Sequence, residues 1–175
     1  MKALVLALAL SVPGVAAAQP APAGAAAQAQ TRSVARMEGV WIGTFRRYDA
    51  AGLLVETLPS EIHIRFPSTG PYGYHQTNVL KGADGKEQRI ESYGAWDGPV
   101  LRFSNPRVEG WYADVEADPA GLNSVLSLTF KDGSGLTLSE LITLSPDGRS
   151  RMRAAQYSIG GKLVRRTLID ETRRP

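Results

Sequence analysis

Apolar and polar residues alternate over most of the chain, and turn signals interrupt this alternation about every 10 to 15 residues. Pairs such as Asp97-Gly98, Asp132-Gly133 and Gly160-Gly161 are typical of tight hairpin turns, because Asp-Gly and Gly-Gly reach positive φ at little cost. No window of about 11 residues carries the apolar stripe of an amphipathic helix. The pattern therefore predicts short strands joined by hairpins.

Ten strand-like runs lie between the turns. Such a series in chain order predicts an all-β, up-and-down antiparallel β-barrel of about ten strands. Closure into a barrel removes the exposed edges that an open sheet would present. A β-sandwich is the alternative fold for the same pattern. The runs cover residues 40–48, 53–66, 72–80, 87–95, 100–104, 108–115, 125–130, 136–145, 149–159 and 162–171.

Residues 1–18 have the pattern of a secretory signal peptide. Lys2 is the only charge before Arg32, residues 3–12 are apolar, and the small residues at 16–18 match the preference of signal peptidase. The apolar run is shorter than the roughly 20 residues that a transmembrane helix needs. We therefore expect export to the periplasm or the outside, with no transmembrane segment in the mature form. A retained N-terminal anchor helix is the alternative.

The rest of the chain divides into a linker and one domain. Residues 19–32 are dominated by Ala, Pro and Gln and contain nothing that could build a packed face, so they predict a flexible linker. The barrel domain is then expected over residues 33–172. That length supports a single hydrophobic core.

Composition and charge exclude several classes of chemistry. The chain has 20 Lys+Arg against 17 Asp+Glu, a balance that does not favour binding to nucleic acid. It has no cysteine, which excludes disulfides and thiolate nucleophiles. His63 and His75 are the only histidines. We therefore expect no metal site, no cofactor and no catalytic triad.

Three runs of the sequence resemble calycins, the lipocalin-like barrels. The first, Gly39–Phe45, contains a Gly-Val-Trp that is similar to the Gly-x-Trp motif at the first strand of that family. The other two runs are Gly70–Asn78 and Arg165–Glu171. In order along the chain, the three are similar to uncharacterised bacterial calycin-like proteins near the phycobiliprotein-lyase group.

The resemblance implies the barrel fold and a structural role for Trp41. In calycins this Trp closes one end of the barrel and packs against an arginine from the last strand, which Arg165 or Arg166 would supply here. The resemblance permits a bilin-lyase-like enzyme, but a fold does not carry an activity with it.

Glu140 is the candidate site residue with the most unusual surroundings. It shares the inward face of its strand with leucine and isoleucine side chains. A carboxylate in such a place has to be paired, hydrogen-bonded, protonated or close to water. The apolar residues of that face are Leu136, Leu138, Ile142 and Leu144.

The last hairpin predicts the partners of Glu140. A two-residue Gly160-Gly161 turn would pair Gln156 with Arg165, and a consistent register would place Glu140 opposite Gln156. A slip by one residue would place Glu140 opposite Ala155 and invert the face. In the predicted register, the outward side chains are Arg151, Arg153, Lys162, Arg166 and Asp170.

The inward row of Glu140, Gln156 and Arg165 predicts a polar base in a ligand pocket. Arg165 would bind a carboxylate or a similar anion, and its two neighbours would hold the guanidinium group in place. The alternative is a buried ion pair between Glu140 and Arg165 that closes the barrel.

Aromatic residues supply further candidates. Trp111 is expected to face inward, either lining the cavity or packing in the core. Tyr72, Tyr74, Gln76 and Asn78 share one face of the third strand. That face either lines a wet pocket or forms an exposed patch that meets a partner.

These patterns predict an exported, non-catalytic, lipocalin-like barrel that binds a small apolar or amphipathic ligand. A cell-envelope structural or interaction module with a packed barrel is the alternative, and a bilin-lyase-like enzyme is the third. The cavity volume separates the first two. The predicted ligand-binding residues are Glu140, Gln156, Arg165, Trp111, Tyr72, Tyr74 and Gln76.

Overall fold

A computed structural model of the chain describes residues 33–82 and 85–175. The predicted signal peptide over 1–18 and linker over 19–32 lie outside the described residues. Among residues 33–82 and 85–175, no helix is long and apolar enough to cross a bilayer. Beside a short 3₁₀ turn over Ala35–Met37, the elements are β1 (Gly39–Asp49), β2 (Leu54–Arg65), β3 (Tyr74–Lys81), β4 (Glu87–Asp97), β5 (Val100–Ser104), β6 (Val108–Asp114), β7 (Asn123–Phe130), β8 (Leu136–Leu144), β9 (Ser150–Ile159) and β10 (Lys162–Arg173).

The strands form one closed barrel in which each strand is antiparallel to its neighbours in the chain. β1 pairs with β2 on one side and with β10 on the other, so that Trp41 lies between Ile62 and Arg173. The prediction of an all-β, up-and-down antiparallel barrel is confirmed, and the β-sandwich is excluded. The first and last strands of the domain complete the sheet between them.

The two ends of the barrel differ in what covers them. At one end β1 begins and β10 ends, and Val34, Met37 and Trp41 are buried there against the core. We call this the closed end. The other end holds the hairpin turns that follow β1, β3, β5, β7 and β9. We call it the open end.

Hydrogen bonds fix the packing of the closed end. The indole Nε1 of the fully buried Trp41 donates to the carbonyl oxygen of Met37 at 2.8 Å. The hydroxyl of Ser124 donates to the Tyr112 hydroxyl at 2.8 Å, and that hydroxyl donates to Met37 Sδ at 3.0 Å. Buried polar groups need such partners, so these bonds anchor the N-terminal segment across the end of the barrel.

β8 shows the predicted alternation. Leu138, Ile142 and Leu144 are buried, whereas Leu141 between them is 44% exposed. Glu140 is buried on the same inward face, with 3% of its surface exposed. The inward direction predicted for this carboxylate is confirmed.

A one-residue bulge in β10 sets the register of the last hairpin. The Gly160-Gly161 turn has the predicted two residues, but the register shifts at Val164. Arg165 therefore lies opposite Tyr157 and not opposite Gln156. Such a bulge places two residues of one strand against a single residue of its partner.

The bulge inverts the face that was predicted for β9. Arg151 and Arg153 point inward, Gln156 is exposed, and β8 pairs Glu140 with Ala155. The predicted register is therefore wrong for this strand. An extra residue in one strand shifts the pairing by one position, and with a side-chain period of two every side chain of the partner changes face.

Two glycines allow neighbouring strands to approach closely. A Cβ atom at Gly43 in β1 would overlap the carbonyl oxygen of Asp170 in β10. A Cβ atom at Gly110 in β6 would overlap the carbonyl oxygen of Ser127 in β7. Both sites are limited by backbone atoms, which cannot move aside as a flexible side chain can.

We expect Gly43→Ala to lower the free energy of unfolding by about 3 kcal/mol, the upper part of the range for overpacking, because the methyl group would push β1 away from β10. Urea unfolding followed by circular dichroism measures this. Gly73→Ala is the matched control, since its Cβ would meet only the Trp96 side chain at 3.4 Å. Equal destabilisation by the two substitutions would contradict the close strand approach.

Candidate functional site

The barrel encloses a cavity of about 710 Å³. It runs from Met37 and Tyr112 at the closed end to Gly82 and Arg107 in the hairpin turns of the open end. The turn residues that line it are exposed to solvent. A cavity of this volume lies within the range of about 300–1,000 Å³ that small-molecule sites occupy.

The walls of the cavity differ in polarity. The strands from β5 to β8 present a largely apolar wall, and β2 to β4 add hydroxyl and amide groups on the facing side. The side chains of the apolar wall are Phe103, Leu126, Leu128, Phe130, Leu138 and Ile142. The polar additions are Ser60, Gln76, Asn78, Gln88 and Ser92.

β3 carries a chain of hydrogen bonds along the polar side. The Tyr74 hydroxyl donates to Gln76 Oε1, and Gln76 Nε2 donates to Asn78 Oδ1 at 2.8 Å. Burial raises the pKa of Tyr74 to about 12, so this phenol stays neutral at ordinary pH. The sequence left two alternatives for this face of β3, a pocket lining and an exposed patch. Tyr74 and Gln76 line the cavity, which supports the first alternative for these two residues.

Tyr72 and Trp111 lie outside the cavity. Tyr72 precedes β3, is 48% exposed and packs against the Tyr93 ring with the ring centroids 5.3 Å apart. Trp111 is 38% exposed on the outer face of β6. The next residue, Tyr112, faces inward opposite Leu126, and adjacent residues of a strand point to opposite sides. The inward placement predicted for Trp111 is therefore wrong.

Glu140 is paired with Arg153 inside the barrel. Arg153 Nη2 donates to Glu140 Oε2 at 2.9 Å, and the two side chains are only 11% and 2% exposed. Burial disfavours the charge of Arg153, but the carboxylates of Glu140 and Glu171 outweigh that effect and raise its pKa. Arg153 therefore stays protonated and donates a charge-assisted hydrogen bond to Glu140.

A second buried pair lies toward the closed end. Arg151 Nε donates to Glu171 Oε2 at 2.5 Å, and both side chains are almost fully buried. The Arg151 guanidinium carbon lies 4.5 Å from the centroid of the Trp41 ring, and that of Arg173 lies 4.8 Å from it. Trp41 thus packs against an arginine of the last strand, as the resemblance implied, but that residue is Arg173.

Arg165 occupies the opposite end of the same strand. β10 pairs Arg165 with Asp49 at the end of β1, far from Trp41 at its beginning. Its guanidinium carbon lies 4.0 Å from the centroid of the Tyr157 ring, and the side chain lines the cavity. The predicted closure of the barrel by Trp41 and Arg165 is wrong, because antiparallel pairing sets them at different ends.

The predicted polar row is only partly formed. Glu140 and Arg165 both line the cavity, but Gln156 between them points to solvent. Arg151, Arg153 and Tyr157 take the inward positions of β9 instead. Their alternation is visible in the sequence, but a hairpin without a bulge predicts the outer face for them, and nothing in the sequence marks the bulge at Val164.

The histidines are not part of the cavity. His63 contacts Glu61 at 2.7 Å and His75 contacts Glu91 at 2.5 Å, both on the outer face of the sheet. In the described ranges, no group of three or more His, Asp and Glu side chains could hold a metal ion. The cavity therefore offers arginines, carboxylates, tyrosines and amides for contacts with a ligand.

Solved structures with the same fold include three natural proteins. A protein of unknown function from the DUF3598 family of Nostoc punctiforme matches with a TM-score of 0.64 and 16% identity, over 81% of this chain and 49% of that chain. The S-type phycobiliprotein lyase CPES from Guillardia theta matches with a TM-score of 0.61 and 16% identity, over 81% and 90%. Rv2717c from M. tuberculosis matches with a TM-score of 0.58 and 15% identity, over 86% and 98%.

These likenesses concern the fold. This chain spans about half the length of the Nostoc punctiforme protein and nearly the whole of the other two. The predicted likeness of this barrel to the phycobiliprotein-lyase barrels is confirmed as a likeness of fold. No family model matches the sequence, and no curated protein matches it.

Removing one member of the inner pair should be costly. We expect Glu140→Gln to lower the free energy of unfolding by about 3–5 kcal/mol, because Arg153 would stay buried without its carboxylate. The double variant Glu140→Leu/Arg153→Leu should recover most of that loss. Urea unfolding of the three proteins measures the difference, and a double variant that is no more stable than the single one would contradict the pairing.

Alkaline pH should destabilise the barrel through Tyr74. Its folded-state pKa is raised to about 12 from an ordinary value near 10, so its contribution is intact below about pH 10 and is lost as the pH rises toward 12. We expect Tyr74→Phe to reduce the slope of unfolding free energy against pH there by up to about 1.4 kcal/mol per pH unit. Urea unfolding at several pH values tests this, with the exposed Tyr72→Phe as the control. Identical slopes in the Tyr74 variant and the wild type would contradict it.

Proposed function

We propose that the protein is an exported, non-catalytic, lipocalin-like barrel that binds a small apolar or amphipathic ligand in its central cavity. The observation that carries this proposal is the cavity of about 710 Å³, which reaches the open end of the barrel. A barrel filled by its own side chains would have no room for a ligand.

The lining of the cavity supports binding. Apolar walls remove a ligand from water, and a small number of fixed polar groups orient it. Here the hydrogen bond of Gln76 to Asn78 and the ion pair of Arg153 with Glu140 hold such groups in place before a ligand arrives. Pre-organised groups bind with a smaller loss of conformational entropy.

The ionisable groups of the cavity support a non-catalytic role. Within the described residues, the two carboxylates that line the cavity are each held by an arginine: Glu56 lies 3.3 Å from Arg47, and Glu140 lies 2.9 Å from Arg153. Neither histidine lines it. In the described part of the cavity, the histidines are therefore absent and both carboxylates are engaged with an arginine.

Export is proposed from the sequence alone. The single charge at Lys2, the apolar run and the small residues at 16–18 are the basis for a signal peptide. The absence of cysteine suits an oxidising compartment, since no thiol can mispair there.

Two alternatives make different demands on the barrel. A cell-envelope interaction module would need no cavity, so the open volume does not favour it. A bilin-lyase-like enzyme is favoured by the fold likeness to the lyase from Guillardia theta, but a shared fold does not imply a shared activity.

Native mass spectrometry of the mature protein from its own host tests whether a ligand is bound. We expect a mass above that of the polypeptide, which denaturing extraction returns to the polypeptide mass. The extracted molecule would then give the chemical class of the ligand. A mature protein that starts at a residue other than about 19 would contradict the proposed signal peptide.

Filling the cavity should block binding of a neutral fluorescent probe such as N-phenyl-1-naphthylamine. We expect Leu128→Trp, on the cavity wall, to weaken probe binding at least about tenfold, because the indole occupies the space that the probe needs. Ser127→Trp places the same side chain on the outer face and is the matched control. Circular dichroism checks that both variants fold, and unchanged binding by Leu128→Trp would place the probe elsewhere.

A further inference from the structure

The charges inside the cavity do not cancel. Four buried or half-buried arginines line its wall, and three of them have a carboxylate partner within 4 Å. Arg165 has no carboxylate partner within the described residues 33–82 and 85–175. The three pairs are Arg47–Glu56 at 3.3 Å, Arg151–Glu171 at 2.5 Å and Arg153–Glu140 at 2.9 Å.

The surroundings of Arg165 hold its guanidinium group without neutralising it. One face of the group stacks on the Tyr157 ring at 4.0 Å from the centroid, which restricts its orientation. Its Nε is buried without a hydrogen-bond partner. A buried guanidinium N–H needs an acceptor, and a planar carboxylate can bind two N–H donors of one guanidinium with two parallel hydrogen bonds.

The position of Arg165 decides where an anion would sit. Arg165 lies near the Gly160-Gly161 turn of the open end, and the turn residue Arg107 lines the cavity at that end too. Glu56, the carboxylate that lines the cavity there, is already held by Arg47. The open half of the cavity therefore carries excess positive charge.

The arginines of the inner half differ from Arg165 in their charge pairing. Arg151 and Arg153 are each bound to a buried carboxylate, although Arg151 Nη2 and Arg153 Nε have no hydrogen-bond partner of their own. Apolar side chains such as Met37, Ile64 and Ile142 surround the two pairs, together with the rings of Tyr74 and Tyr112. A second negative charge at this depth would lose its hydration beside two guanidinium groups that each already hold a carboxylate.

We propose that the ligand is an amphipathic monocarboxylate that binds with its carboxylate on Arg165 and its apolar body toward the closed end. This inference rests on the proposed ligand-binding function and adds the charge, the number of anionic groups and the direction of binding. Arg165 is the residue that determines selectivity for the anionic head group.

Three twelve-carbon competitors with matched chains test the proposal. The affinities of dodecanoic acid, dodecan-1-ol and dodecanedioic acid are measured by competition with N-phenyl-1-naphthylamine for the mature wild-type protein. We expect the monoacid to bind about 10–100-fold more tightly than the alcohol, the range for hydrogen bonds to charged groups. The diacid should bind more weakly than the monoacid, because its second carboxylate would lose its hydration in the inner half, where both arginines already hold a carboxylate.

Variants at two neighbouring arginines locate the effect. Arg165→Gln should reduce the affinity for the monoacid to about that for the alcohol and leave the alcohol unchanged, whereas Arg165→Lys should retain part of the preference. Arg166→Gln is the matched control, since Arg166 is the next residue and points to solvent. The comparison of competitors on the wild type tests the charge preference even if an Arg165 variant does not fold.

Each outcome separates this inference from the proposed function. Equal affinity of the wild type for acid and alcohol, or an unchanged preference in Arg165→Gln, overturns the carboxylate site while probe binding still supports a ligand cavity. Equal or tighter binding of the diacid overturns the direction of binding. If the wild type binds neither the probe nor any competitor, the proposed function fails and the inference fails with it.

Discussion

The arrangement of charges in the cavity depends on one extra residue in the last strand. The bulge at Val164 gives β9 and β10 a register in which odd-numbered residues of β9 face inward together with the odd-numbered residues of β10 that follow the bulge. These inward residues are Arg151, Arg153, Tyr157, Arg165, Thr167 and Ile169. Without it, Gln156 would take the place beside Arg165, and Arg151 and Arg153 would point to solvent. The buried pairs and the stacking of Arg165 on Tyr157 all follow from this local change in pairing, because a shift of one residue moves a whole strand to its other face.

Two ion pairs inside a largely apolar barrel contribute little net stability, because removing their charges from water offsets much of the attraction between them. Replacing such pairs by apolar side chains of similar size is often neutral or stabilising. The pair of Arg153 with Glu140 faces the cavity, and the pair of Arg151 with Glu171 supports the Trp41 ring at the closed end. The Arg153–Glu140 pair holds a fixed dipole in the cavity wall. The Arg151–Glu171 pair connects Trp41 at the closed end to β9 and β10. Their value lies in the position of these groups more than in the free energy of unfolding.

Much of the fold could be predicted from the sequence, and less of the site. The spacing of Asp-Gly and Gly-Gly turns indicates ten strands, and the alternation in β8 points Glu140 inward as observed. The partner of Trp41 was also within reach, because antiparallel pairing brings the start of β1 to the end of β10, where Arg173 lies. The bulge at Val164 could not be predicted, since no glycine or proline marks it. The choice between Trp111 and Tyr112 also depends on the tertiary register, because two adjacent aromatic residues offer equal apolar area to either face.

The pairing of β1 with β10 also constrains the order in which the protein can fold. It joins residues at the two ends of the domain, such as Trp41 and Arg173, so the barrel stays an open sheet with two free edges until its last strand has been made. Contacts between residues so distant in sequence form late and slowly. During that interval the edges of β1 and β9 could pair with other chains. A nascent chain that ends before Lys162 should therefore be prone to aggregation, although it already contains β1 to β9.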